Sequence, residues 1–438
     1  MKTTYLQFAS KAAAGLLLLG AAFTQVQAES PAAQPASPPP PTANTSPASA
    51  PPPTASTFTE AFTKGKGQIK FRYRLESVDQ ENFDENALAS TLRSRLNFRT
   101  ADLCGFGAFL EVDWIAKIFA DHYDQGGGNT PDKNKYPVVA DVTGAFLNQA
   151  WLQWANPKGT LVRGGQQVIL YDNQRFVGNV GWRQHEQTFD AGYFQQKTAS
   201  GFDFQAAYVW QVNRIYGNDV PAGTNDNQTW LLNGAKDWKN VGKLTAYYYN
   251  IDNEDVASYS TISYGSRWAG LHKFTSLTLG YALEYAHQKG AHNNPVDYGA
   301  DYYHINVSLA WPKVTPSIGF ESLGGDNTRA GAAFRTPLAT LHAFNGWADL
   351  FLVTPNAGLN DLYGGLKGPI GTWTWELVYH DFQAESGPAK WGDELDAGIA
   401  TKFADHYSVY FKLGTFNSSS GSPYPDTTKF WVQLTADF

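Results

Sequence analysis

The chain of 438 residues carries a formal charge of −7, with 42% hydrophobic and 15% aromatic residues and a single cysteine. An acid excess of that size argues against nucleic-acid binding, and the lone Cys104 excludes an internal disulfide. Beyond the N-terminus no apolar run is long enough for a membrane helix, so any crossing of a bilayer must be made by strands closed into a barrel. The 27 Phe, 23 Tyr and 14 Trp suit such a barrel, in which rings anchor both lipid interfaces while a polar lumen keeps the chain hydrophilic on average.

The N-terminus reads as a secretory signal over residues 1–28. Lys2 and Lys11 flank a polar start, Ala12 to Phe23 form an apolar stretch, and Val26-Gln27-Ala28 offers small residues where a signal peptidase reads. Cleavage after Ala28 removes two lysines and no acid, which takes the charge from −7 to −9. Residues 29–64 are expected to be a disordered linker. Most of this segment is Pro, Ala, Ser and Thr, including Pro38 to Pro41 and Pro51 to Pro53, a composition that favours extended polyproline and serves as a periplasmic tether.

From residue 65 to 438 the pattern is two-residue alternation, so an all-β, antiparallel up-and-down transmembrane barrel is expected over this range. Gln68, Lys70, Arg72, Arg74 and Glu76 share one face of the first segment, and Ile69, Phe71, Tyr73 and Leu75 share the other. Leu92, Ser94, Leu96 and Phe98 oppose Arg93, Arg95, Asn97 and Arg99 in the next. The pattern recurs at Leu277 to Tyr285, Tyr303 to Trp311 and Trp373 to Tyr379. Asn156-Pro157-Lys158-Gly159 and Gly368-Pro369 read as tight turns, and the polar stretches 121–137, 217–228, 287–299 and 417–427 read as long loops at the other end. The raw count is about nineteen segments. Because bacterial barrels close with an even number, about eighteen strands are expected, with the weak candidate inside 338–353 a loop or half of another strand. Trp151, Trp154, Trp210, Trp268, Trp311, Trp373 and Trp375 are expected in outward girdles, whereas alternation puts Trp431 inside.

The last strand alternates up to Phe438, an ending that resembles the signal by which barrel-assembly machinery recognises its clients. Within Asn148 to Tyr193, the residues Asp172, Arg175, Val177, Gly178, Trp182, Arg183, Gln184, Glu186, Gln187, Thr188, Phe189 and Asp190 form a spaced motif. This block resembles the core of the alginate export family of outer-membrane channels. Gln166 stands where that family usually has Arg, and His185 where Asn is frequent. The resemblance implies a barrel with a charged constriction, working in the outer membrane as a monomer. It does not imply alginate as the solute.

The candidate pore-lining residues follow from both readings. Lys70, Arg72, Arg74, Arg93, Arg95 and Arg99 would form a basic ladder on one lumen wall, with Arg163 in the same set. Arg and Lys in a lumen favour anions, and Arg binds carboxylates with two parallel donors. Acids such as Glu111, Asp113, Asp203, Glu284, Glu376, Glu394 and Asp396 would give a transverse field. Glu111 and Asp113 follow the basic strand, so cross-strand pairing is an equal alternative to selectivity. Arg175, Arg183, Glu186 and Asp190 lie between two expected strands. They would either fold into the lumen as a constriction or form a fixed loop whose charges pair with one another.

Function at this level is a channel for small polar or anionic solutes, acidic saccharides included, with membrane lipid as surroundings. No cofactor or metal is expected, and no nucleophile-elbow, zinc or phosphate-loop motif is found. The alternatives from other classes are a barrel enzyme of lipase or protease type and a receptor or adhesin acting through its long loops.

Overall fold

The computed structural model describes residues 53–438. The expected signal over 1–28 and the linker up to residue 52 lie outside the described residues. The rest of the linker is not disordered: Thr54–Ala55 pairs in parallel with Asp102–Leu103, and α1 (Phe58–Thr63) follows. Thr57 caps this helix by accepting from the Glu60 amide, while the Glu60 carboxylate accepts from the Ser56 amide. The Phe62 ring stacks on Phe98, so the linker's expected end at residue 64 moves back to the start of this folded segment.

The barrel is a closed antiparallel sheet of 18 strands. In chain order these are β1 (Lys66–Gln80), β2 (Ala87–Arg99), β3 (Phe106–His122), β4 (Gly144–Ala155), β5 (Thr160–Gln167), β6 (Thr188–Lys197), β7 (Phe202–Asn213), β8 (Thr224–Trp238) and β9 (Gly242–Ile251). They continue as β10 (Thr261–Lys273), β11 (Thr278–Gly290), β12 (Gly299–Ala310), β13 (Thr315–Leu323), β14 (Leu359–Ile370), β15 (Trp373–Gln383), β16 (Lys390–Phe403), β17 (Tyr407–Ser418) and β18 (Thr427–Asp437). Each pairs with the next, and β18 returns to β1 with Lys70 opposite Asp437 and Gln80 opposite Thr427. Closure leaves no sheet edge, which is the condition for strands to satisfy their backbone groups in lipid.

Alternation decides which wall each side chain faces. Arg72, Arg74 and Glu76 are buried inside β1 while Ile69 is exposed; Arg93, Arg95 and Asn97 are buried inside β2 while Leu96 is exposed. Trp210, Trp268 and Trp311 are exposed on the outer surface and Trp431 is fully buried inside, as expected. Trp151 is a correction. It lies opposite Phe109, in phase with the buried Glu111 and Asp113, and its ring sits under Arg163, so it faces the lumen. Gly368-Pro369 is a second correction, because β14 runs through it and the turn falls at 371–372.

Tight connections such as 156–159 and 198–201 gather at the end where β1 starts, and longer ones at the other. Three long connections matter for the site: loop A (123–143), loop B (168–187) and loop C (324–358). Loop C contains the 338–353 candidate, which forms no barrel strand. Loops B and C enter the lumen side by side. Val177 bridges Leu338 in parallel, the Gly178 amide donates to the Leu338 carbonyl at 2.9 Å, and the Thr340 amide donates to the Gln174 carbonyl at 3.0 Å. Phe176 of loop B and Phe334 of loop C sit among the inward Tyr247, Tyr249 and Tyr302. One side of the lumen is therefore packed with aromatics, and the expectation of a wet interior holds for only part of it.

Candidate functional site

The basic ladder exists on β1 and β2, and its members have different partners. Arg95 is the most heavily neutralised. Its Nε and Nη2 donate to the two oxygens of Asp113 at 2.6 Å each, its Nη1 donates to Glu186 at 2.7 Å, and Glu111 lies 3.5 Å away. Glu186 also accepts from Asn148 and Asn179, both at 2.6 Å, so one acid ties β2, β4 and loop B together. Arg74 pairs with Asp141 of loop A at 3.4 Å and lies 4.0 Å over the Trp182 ring.

Arg72 and Arg93 differ. They stand opposite each other across the β1–β2 ladder, and neither makes an ion pair with a carboxylate among the described residues. Loop B supplies carbonyls instead. Arg72 donates to Gly181 O at 2.8 Å, to Arg183 O, and to the Gln184 side chain at 2.9 Å, while Arg93 donates to Gln184 O at 3.2 Å. Backbone dipoles turned toward two like charges offset part of their repulsion without cancelling either charge.

Lys70 and Arg163, nearer the tight turns, are half-buried and also lack a carboxylate partner among the described residues. Arg163 donates to Gln153 at 3.0 Å and covers the Trp151 ring at 4.2 Å. Arg99 pairs with Asp102 at 2.6 Å, at the rim.

The family-like motif is loop B, and the structure gives nearly every motif residue a contact. Asp172 accepts from Asn233 and Thr245, each at 2.9 Å. Arg175 donates to Glu321 on β13 at 2.7 Å and to Asn345 of loop C at 3.1 Å. Gly178 is where the loops touch: a Cβ there would come 2.2 Å from Thr340 Oγ1. Trp182 is buried against Trp431 and His342. Arg183 reaches Glu76 on β1 and Asp349 of loop C, both at 3.0 Å. Gln187 donates to the carbonyls of Gly178 and Leu338. The loop does fold inward, and its charges pair with the wall and with loop C rather than with one another. Asp190 stands apart on β6, half-buried and accepting from Asn213 at 3.2 Å. At the two departures from the family pattern, Gln166 donates to Leu147 O and Thr188, and His185 stacks on Phe146 at 4.3 Å.

Burial sets the protonation of the loop groups. It pulls His185 down to about 4 and His342 down to about 3. For Asp141 burial works the other way, but Arg74 and Arg183 outweigh it and hold the carboxyl below its usual range. Burial alone would lower Arg183, yet Glu76 and Asp349 keep it above its ordinary value.

Sequence reasoning missed Asp141, Glu321, Asp349 and Lys412, which complete this network. Lys412 was readable from phase, since it alternates with the outward Phe411 and Leu413. The loop acids were not, because a loop has no periodicity to read.

A family model described as Alginate export matches residues 66–322, more than half of the chain. The chain belongs to the alginate export family. Its fold is similar to that of OccK9 (OpdG) of Pseudomonas aeruginosa, with a TM-score of 0.67 at 11% identity, covering 86% of this chain and 99% of that one. OccAB2 of Acinetobacter baumannii gives a TM-score of 0.67 at 14% identity, with the same coverage of 86% and 99%. Pseudomonas aeruginosa OpdK, solved with vanillate, gives 0.66 at 11% identity, again covering 86% and 99%. No match is found among curated proteins. This alginate export family member is a porin-like channel of the outer membrane for small solutes. Its family motif forms the loop that enters the lumen.

Proposed function

We propose that the barrel conducts small anions, carboxylate-bearing solutes above all, past the constriction made by loops B and C. Acidic saccharides fall within this class. One observation carries the reading: Lys70, Arg72, Arg93 and Arg163 on the β1–β5 wall have no carboxylate partner among the described residues, so their field reaches the lumen. Farther round the barrel, on β15 and β16, Glu376 and Glu394 make no ion pair with a lysine or arginine among the described residues, and they would supply the acidic part of a field that orients solutes carrying both charge and dipole. The fold neighbour OpdK holds vanillate, itself a carboxylate, and this favours the same solute class.

We read the chain as a channel rather than a barrel enzyme, working as a monomer in lipid after insertion by the assembly machinery. Residues 1–28 would be its export signal and the proline-rich stretch its spacer. Arg175 and Arg183 would act by holding the constriction, with Lys70 and Arg163 meeting the solute and Arg99, paired with Asp102, standing at the rim. Swelling of proteoliposomes in small carboxylates against amines of equal size tests the reading. Faster entry of the carboxylates is expected; equal or slower entry would overturn it.

A further inference from the structure

Lys412 of β17 is buried in the lumen, and no carboxylate makes an ion pair with it among the described residues. Its ammonium stands instead in a box of rings. The Nζ atom lies 3.7 Å from the centroid of Trp347, 4.2 Å from Trp182, 5.2 Å from Trp431 and 5.9 Å from Tyr410. Trp182 comes from loop B, Trp347 from loop C, and the other two from β17 and β18. The remaining contact is 2.7 Å to Nε2 of His342, also in loop C.

That contact fixes the imidazole. When Lys412 is charged it has donors only, so Nε2 accepts and the ring proton sits on Nδ1. Nδ1 then donates to Asp349, 2.7 Å away. Asp349 accepts in addition from Arg183 of loop B and Lys429 of β18, both at 3.0 Å, and Arg183 continues to Glu76 on β1. A line of polar contacts therefore leaves the wall at Lys412, runs through loop C and loop B, and returns to it at Glu76 on β1, two strands away. The His342 ring also stacks flat on Trp182 at 4.5 Å, so the two loops meet at the lysine through rings as well as through polar contacts.

We propose that Lys412 is the positioning residue of the constriction: its charge, gripped by rings from both loops and relayed through His342, holds loops B and C at one fixed separation. A methionine of similar length would fill the space. It would lose the attraction of a cation for three indole faces and leave His342 Nε2 without a donor, so the register between the loops would loosen while the barrel stayed closed. The inference rests on the reading that these loops bound the solute path.

Lys412→Met and Lys412→Arg are compared with the wild type as full-length protein in planar bilayers, with heat-modifiable gel mobility reporting that each barrel is folded. The methionine variant is expected to show a severalfold rise in open-channel noise and a higher unit conductance, and the arginine variant to recover most of the wild-type behaviour. Trp347→Leu removes one wall of the box from a loop and leaves every strand intact, so it should reproduce the methionine phenotype even if Lys412→Met fails to fold. Spin labels at Asn173 and Val353, with Cys104 first replaced by Ser, should show a broader distance distribution in both variants. Unchanged noise, conductance and label distances in a folded variant would overturn the role of Lys412. If the anionic-solute reading fails instead, the wild type lacks carboxylate preference while the variants still become noisy.

Discussion

Arg72 and Arg93 face each other across β1 and β2 with backbone carbonyls of loop B, and no carboxylate, between them. Arg95, one step along the same wall, is surrounded by Asp113, Glu111 and Glu186. The neighbours have the same chemistry and opposite duties. Arg95 neutralises acids that hold the wall and loop B together, whereas Arg72 and Arg93 make no ion pair with a carboxylate among the described residues.

This contrast predicts opposite outcomes for two similar substitutions. Arg95→Met strands buried carboxylates and should cost about 3–5 kcal/mol, the range for breaking a buried pair from one side. Arg93→Met relieves a like-charge contact and should cost no more than about 1 kcal/mol, while lowering anion preference. Urea unfolding in detergent micelles measures the first difference. A larger loss for Arg93→Met than for Arg95→Met would contradict the division of roles.

Gly178 predicts a steric effect. A Cβ at this position meets Thr340 Oγ1 at 2.2 Å, and that hydroxyl is already held by donating to Gln174 at 2.8 Å. Gly178→Val should therefore part loops B and C and expose Arg335 in loop C to trypsin. Cleavage rates at Arg335 equal to the wild type would show that the contact has slack.

Acid should loosen the constriction. His185 and His342 sit at about 4 and about 3, below the ordinary 6.5, because burial disfavours their charged form. A depressed histidine gains its proton on release, so docking is at full strength above about 6.5 and weakens as pH falls toward the folded values. At pH 5 each contributes about 2 kcal/mol toward release. Asp141, held low by Arg74 and Arg183 against its own burial, keeps its charge through this window and does not oppose docking. Channel noise should rise between pH 7 and pH 5, and His185→Asn should remove part of the rise. Traces that are flat across that range would contradict the assignment.

How much of this was legible depends on the range of the interaction. Inward Arg72, Arg74, Arg93 and Arg95 follow from the two-residue period alone, and Trp431 inside from the same rule. Trp151 was within reach of that rule, since it is three residues from the outward Trp154 and one strand cannot turn both toward lipid. The inward fold of loop B was one of the two readings that its motif left open. Loop C could not be read, because Trp347, Asp349 and His342 find partners on β17, β18 and loop B that are distant in sequence, and their own spacing carries no period. The folded start at Thr54 was hidden by a composition that otherwise spells linker.

The reversal potential across a potassium chloride gradient tests the central claim most directly, recorded for the wild type and for Lys70→Glu with Arg163→Glu. An anion-selective wild type whose potential moves toward the cation side in the double variant is the predicted result. A cation-selective wild type, or a potential untouched by reversing both charges, would contradict the account.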